Sequence, residues 1–219
     1  MTVQLTYHDK IAVLHLGDDE NRFSLTFLDQ FEAYLDSAVN GGAQALVTAA
    51  DGKFYSNGLD LDWVMAHSDQ LQAYSGRVEA LLSRILTLPI PTVAAISGHA
   101  FGAGAMLAFA HDFRVMRADR GYFCLPEVDI RIPFTTGMMA LIQAKLTPHV
   151  AVLAMTTGRR FAGPEAHAAH IVDATAGEND VTSTALELIT PLLGKDPATL
   201  GAIKNAMFAP AVAALAGTP

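Results

Sequence analysis

Apolar and polar positions alternate in blocks whose period changes along the chain. Residues 3–7 and 10–16 alternate or cluster β-forming side chains around His8 and Asp9, which predicts an antiparallel hairpin. Asp18 to Ser24 is polar and reads as a loop. From Thr26, the residues Phe27, Leu28, Phe31, Tyr34, Leu35 and Val39 fall at helical spacing up to Gly41-Gly42. Ala45 to Ala49 is a short buried strand, followed by a loop from Asp51 to Gly58 and a helical segment from Leu59 to Ala66. Leu71 to Leu86 forms an amphipathic helix ended by Pro89. Val93 to Ser97 reads as a strand and Ala105 to Ala110 as a helix. Asp112 to Arg117 and Tyr122 to Leu125 read as strands, Phe134 to Leu146 and Pro148 to Thr157 as helices, with Gly158 as the stop. Beyond Arg160 the pattern is helical apart from a short Ile171-Val172-Asp173. Strands alternate with helices up to residue 125 and helices dominate afterwards, so the expected fold is one α/β domain over 1–219 with repeated β-β-α units and a helical C-terminal region.

Composition sharpens that picture. Hydrophobic residues make up 51% of the chain and charged ones 16%, an apolar excess that, with the Ala-rich tail, points to surface buried between subunits. A net charge of −8 argues against nucleic acid or an anionic membrane as a partner, while a few local cations would still serve a small anionic ligand. The single cysteine, Cys124, lies in an apolar run, reads as an inert core thiol and suits a reducing, cytoplasmic setting. The first residues, Met-Thr-Val-Gln-Leu, lack a basic region followed by an apolar block.

Residues Pro91 to Asp112 hold the strongest local signal. A β-rich run leads into Gly98, Gly102 and Gly104 among small residues, and then into an apolar helix. The first N–H groups of a helix lack internal partners and carry partial positive charge, and small residues let a ligand approach them. An oxygen that gains negative charge suits such a place, although a tightly packed strand–helix corner without a ligand fits the same residues. Leu107 stands where a dinucleotide-binding G-x-G-x-x-G needs glycine, and no phosphate-cradling G-K-[ST] is present. The uncharged run from Val93 to Ala110 is interrupted by Ser97, His99 and three glycines, so it reads as core rather than a membrane span.

Three segments in order resemble the crotonase (enoyl-CoA hydratase/isomerase) superfamily. They are Lys53 to Leu61, Pro91 to Asp112, and Arg159-Arg160-Phe161 through Glu165-Ala166 to Val172-Asp173. The resemblance covers about residues 3–175. It implies a crotonase-like spiral of ββα turns over about 1–175 with C-terminal helices from about 176, trimers or pairs of trimers, and an acyl-CoA thioester as substrate. No cofactor beyond the substrate's own coenzyme A is implied, and no metal. By position, the N–H groups of Leu59 and Ala103 would hold the oxygen of a thioester enolate. Ser56, Gly58, Asp60, Leu61 and Gly102 would shape that hole and the acyl site, with Lys53 and Arg22 in loops near the CoA phosphates and adenine.

The acid–base positions narrow the activity. The family's hydratases use two glutamates. Here the first position holds Met106 and the second Glu127, within Leu125-Pro126-Glu127. One base serves a 1,3-proton shift, so the resemblance is closest to the Δ3,Δ2-enoyl-CoA isomerases, including plant-type members that share Glu-Val-Asp-Ile at 127–130. Apolar neighbours would raise the Glu127 pKa by desolvation. The alternatives are a glutamate paired with Arg114, Arg117 or Arg131, hydration or thioester hydrolysis on the same scaffold, and an acyl-CoA-binding protein without turnover. His99 reads as structural, Asp129 as solvated or salt-bridged, and His167 with His170 lacks the surroundings of a zinc site.

Overall fold

The computed structural model describes residues 3–217. In chain order it holds β1 (Gln4–His8), β2 (Ile11–His15), α1 (Leu25–Asn40), β3 (Ala45–Ala49), β4 (Phe54–Ser56), α2 (Leu61–Ala66), α3 (Leu71–Leu86), β5 (Thr92–Ile96), β6 (His99–Phe101) and α4 (Ala103–Ala110). There follow β7 (Phe113–Arg117), β8 (Phe123–Cys124), α5 (Glu127–Ile130), α6 (Thr136–Lys145), α7 (Pro148–Thr157), α8 (Gly163–Ala168), β9 (Ala174–Ala176), α9 (Val181–Ile189), α10 (Pro197–Met207) and α11 (Ala209–Leu215).

Two sheets organise these elements. A six-stranded sheet runs β1-β2-β3-β5-β7-β9 and a three-stranded one runs β4-β6-β8. Each of the pairs β3/β4, β5/β6 and β7/β8 therefore gives its first strand to the large sheet and its second to the small one, which is the expected α/β spiral of ββα turns. Strands β1 and β2 pair antiparallel, His8 opposite Ile11 across the hairpin turn, and a single antiparallel bridge joins Phe123 of β8 to Phe161. The other pairs are parallel.

Parallel strands covered on both faces read as continuous apolar runs, and β3 and β5 are buried at every residue. Side chains still alternate between faces. Val13, Val47, Val93 and Val115 form one cluster with Val181, Ala185 and Ile189 of α9. Their neighbours Leu14, Leu46, Ala94 and Met116 face the main core, with α1, α3 and α4. All eight residues of α4 are buried, so the uncharged run that includes it is core. No single helix among the described residues is long and apolar enough to cross a membrane.

Several local expectations are corrected. The first long helix is capped at Ser24, whose side chain accepts from Phe27 N–H, rather than starting at Thr26. Helix α2 starts at Leu61, because Asp60 caps it by accepting from Trp63 N–H. In the stretch that breaks the late helical pattern, Ile171 and Val172 turn inward to the core, and the strand that pairs with β7 follows at Ala174–Ala176. Glu127 opens a one-turn helix shortly after β8. The short strand β6 was not visible in the pattern.

Candidate active site

The loop between β2 and α1 sets the first wall of the site. Asn21, fully buried and at φ 48°, donates through Nδ2 to Phe54 O and Tyr55 O, each at 3.1 Å. Ser56 Oγ donates to Asn21 O at 2.8 Å and accepts from Gly58 N–H at 3.1 Å. Phe23 N–H donates to Gly58 O at 2.8 Å. These bonds fix the peptide that precedes Leu59. Gly58 has φ +82°, and a Cβ there would lie 2.8 Å from Phe101 O and 2.9 Å from Ala103 N. Only glycine permits that conformation and that approach.

The second wall is the start of α4. Gly102 takes φ 52° and ψ −122°, donates its N–H to Cys124 O at 3.1 Å and accepts from Met106 N–H at 3.0 Å. This turn delivers Ala103 as the first residue of the helix, beside Gly58. Neither the Leu59 nor the Ala103 N–H has an acceptor among the described residues. Two donors without partners, one at a helix N-terminus, therefore stand on adjoining segments.

The base candidate faces them. A Cβ on Gly102 would lie 3.3 Å from Glu127 Oε1, so the carboxylate sits against this turn. Glu127 is 8% exposed and its Oε2 is buried with no hydrogen-bond partner. Burial raises its pKa to about 7, countered in part by a hydrogen bond from its own backbone. No arginine neutralises it. Arg114 donates to Ile171 O and Asp173, and Arg117 pairs with Asp119 and Glu178. Arg131 is exposed and caps α5 in the left-handed region.

Leu59, Gly102, Ala103, Met106 and Glu127 all line one cavity of about 1530 Å³, together with the expected Leu61 and Arg22. Arg22 is held by Glu20 and Asp62 at 2.5 and 2.9 Å. Ser56, Gly58, Asp60 and Lys53 are not among the lining residues. Ser56 and Gly58 are spent on the backbone bonds above, Asp60 caps α2, and the Lys53 ammonium lies 5.2 Å from the Phe54 ring centre. Cys124 also lines the cavity, but burial pushes its thiol to about 11 and it bonds Gly158 O. His99 packs against Phe54, Phe101 and Tyr122 and accepts from Tyr122 N–H, a structural role. Asp129 is exposed and its carboxylate lies against Gly158. His167 and His170 are exposed, and no cluster of metal-binding side chains occurs among the described residues.

Three residues escaped the sequence reading. Asn21 gave one signal, a polar residue of a loop type that tolerates positive φ. Arg160 lies inside a quoted motif, lines the cavity and stacks over Phe101 at 5.8 Å. Glu79, on α3, gave none, because a carboxylate on an amphipathic helix reads as a solvated charge.

Comparison with known proteins gives the family and the fold. A family model for enoyl-CoA hydratase/isomerase matches residues 6–217. The chain belongs to that family. Enoyl-CoA delta isomerase 1, peroxisomal, of Arabidopsis thaliana is 35% identical over 65% of this chain and 61% of its own length. Enoyl-CoA delta isomerase 3 of the same plant is 34% identical over 74% of this chain and 71% of its own. The chain thus spans less than two thirds of the first of these relatives. Among solved structures, a probable enoyl-CoA hydratase from Mycobacterium tuberculosis H37Rv superposes with a TM-score of 0.93 at 27% identity, over 99% of this chain and 92% of that one. The enoyl-CoA hydratase/isomerase fold accounts for the spiral and for the meeting of β4, β6 and α4 at the site.

Proposed function

We propose that this member of the family is an enoyl-CoA isomerase, converting a 3-enoyl-CoA to the trans-2-enoyl-CoA with Glu127 as its single base. One observation supports the reading: a buried carboxylate with one unpartnered oxygen sits against the turn that presents the unpaired Ala103 N–H, beside the segment that carries the unpaired Leu59 N–H. Ionised Glu127 takes a proton from C2. The C–H electron pair moves into the C1–C2 bond and the thioester carbonyl pair onto oxygen, giving a dienolate. Leu59 and Ala103 N–H groups donate to that oxygen; as the carbonyl re-forms, the C1–C2 pair shifts to C2–C3, and the C3–C4 pair takes the proton that Glu127 returns at C4. Fixed donors stabilise the developing charge without reorganising, each worth about 3 kcal/mol of barrier.

Met106 supports isomerisation over hydration. It lines the cavity at 1% exposure, and its thioether offers nothing to orient and deprotonate a water. The Arabidopsis relatives, isomerases by name, support the same assignment. Arg22 and Arg160, both on the cavity wall, are suited to the phosphates of coenzyme A. Assembly into trimers or pairs of trimers is part of the reading, since Val128 on α5 and Val152 on α7 leave apolar surface exposed outside the cavity.

Ultraviolet absorbance of the purified protein with a 3-enoyl-CoA and, separately, with a trans-2-enoyl-CoA tests the reaction. Conjugation with the thioester raises absorbance in the first mixture and leaves the second steady. A fall in the second cuvette would mean hydration and overturn the reading.

A further inference from the structure

The cavity has two unlike sides. Phe101, Met106, Ile130, Phe134 and Met138 supply an apolar one. Helix α3 supplies much of the other, where Gln72, Ser75, Glu79, Ser83 and Arg84, with Thr87 just past its end, are the polar positions. A saturated hydrocarbon tail has nothing to offer that second side, and covering a carboxylate with it strips water from the charge without replacing its hydrogen bonds.

Glu79 is held in place there. Thr135 Oγ1 donates to Glu79 Oε1 while accepting from Met138 N–H, so the hydroxyl that caps α6 also orients the carboxylate. A Cβ at position 137 would come within 2.9 Å of Glu79 Oε1 and 2.7 Å of Leu215 Cα, so Gly137 leaves the room that both occupy. Glu79 Oε2 has no partner and Glu79 no cation among the described residues, whereas the α3 cations Arg77 and Arg84 are paired with Asp29, Glu32 and Asp36. Both cations of this helix, Arg84 on the cavity wall included, have a carboxylate partner, whereas the Glu79 carboxylate has no cation among the described residues.

We propose that Glu79 selects acyl chains that carry a hydrogen-bond donor, a hydroxyl on the tail, over plain alkenoyl chains. The inference rests on the acyl-CoA reading of the cavity and names the substrate class within it. The donor bonds Glu79 Oε2, and Thr135 fixes the direction from which it does so. A carboxylate acceptor makes this bond stronger than a neutral one and makes its absence costly.

Calorimetric titration of saturated acyl-CoA pairs, equal in length and differing by one hydroxyl carried at successive tail carbons, tests the preference without turnover. The wild-type protein is expected to bind one hydroxylated isomer about tenfold or more tighter than its plain counterpart. Glu79→Leu weakens the hydroxylated chain, tightens the plain one and abolishes the preference. Glu79→Gln, which keeps an acceptor oxygen and the Thr135 contact, retains an intermediate preference and guards against misfolding of the leucine variant. A wild-type preference for plain chains at every position, or a ratio that survives Glu79→Leu, overturns the proposal. Turnover of a plain 3-enoyl-CoA is scored separately. Turnover without chain preference sinks the role of Glu79 alone, and preference without turnover sinks the isomerase reading alone.

Discussion

Burial gives Glu127 a pKa of about 7 against an ordinary 4.5, which makes it a better base and a less comfortable residue to fold around. In the proposed mechanism it accepts the proton and must be ionised, so kcat/KM should rise about tenfold per pH unit below pH 7 and level off above it. A pH–rate profile with a plateau reaching down to pH 5 would contradict this. The stability consequence has the opposite sign. Below about pH 4.5 the carboxyl is protonated in both states. Between 4.5 and 7 the unfolded chain releases the proton while the folded one keeps it, so stability falls as pH rises through that window. At about 1.4 kcal/mol per pH unit the total is on the order of 3–4 kcal/mol. Glu127→Gln should therefore lose about 10²- to 10⁴-fold in turnover and melt higher than wild type at pH 8, with the gap closing near pH 4.5. A variant that keeps full turnover would rule out the single-base mechanism.

At the level of elements, the site depends on how closely β4 and α4 approach. Gly58→Ala places a methyl 2.8 Å from Phe101 O and 2.9 Å from Ala103 N at a φ of +82°. The peptide must shift, and with it the Leu59 N–H. The expected result is a loss of about 10²-fold or more in kcat, exceeding any change in KM, and a destabilisation of about 1–3 kcal/mol from the strained backbone. Unchanged kcat with lowered stability would remove Leu59 from the oxyanion hole. The sequence showed this corner well in part. The glycines at 58, 102 and 104 and the strand before them were legible, because glycine at a strand–helix turn has few other uses. The strand β6 was not, since three residues between two glycines carry no period. Strand β9 was not legible either: the break in the helical pattern was read at Ile171–Asp173, whose apolar residues report burial rather than backbone pairing. Helix α5 was masked by its β-branched Val128 and Ile130. Glu127 itself emerged from family resemblance, and its lack of a partner only from the folded arrangement, in which Arg114 and Arg117 are taken by other carboxylates.

Across the whole molecule, a buried polar belt ties the C-terminal helices to the sheet. Lys204 of α10, 4% exposed, donates to Ile90 O at 2.9 Å and to Asp112 at 2.6 Å. Asp112 also accepts from Thr92 N–H, and Thr92 accepts from Asp112 N–H, so one ammonium joins α10 to the entries of β5 and β7. Burial lowers the Lys204 pKa, opposed by the Asp112 charge. Helix α11 follows α10 directly and brings Leu215 to the cavity wall. Cutting the tie should therefore act at a distance. Lys204→Met strands the Asp112 carboxylate, which is 18% exposed, and is expected to lower the unfolding free energy by about 3 kcal/mol. KM for an acyl-CoA should rise as α11 loosens, with kcat on saturating substrate little changed, since Glu127 and the two N–H groups lie on α5, α2's approach and α4. Adding Asp112→Asn removes the stranded charge, so the double variant should recover part of the loss. Denaturant titration of the four proteins decides this. Strict additivity would mean that Lys204 holds the C-terminal region by packing alone, and an unaltered KM would mean that α11 closes the cavity independently of α10.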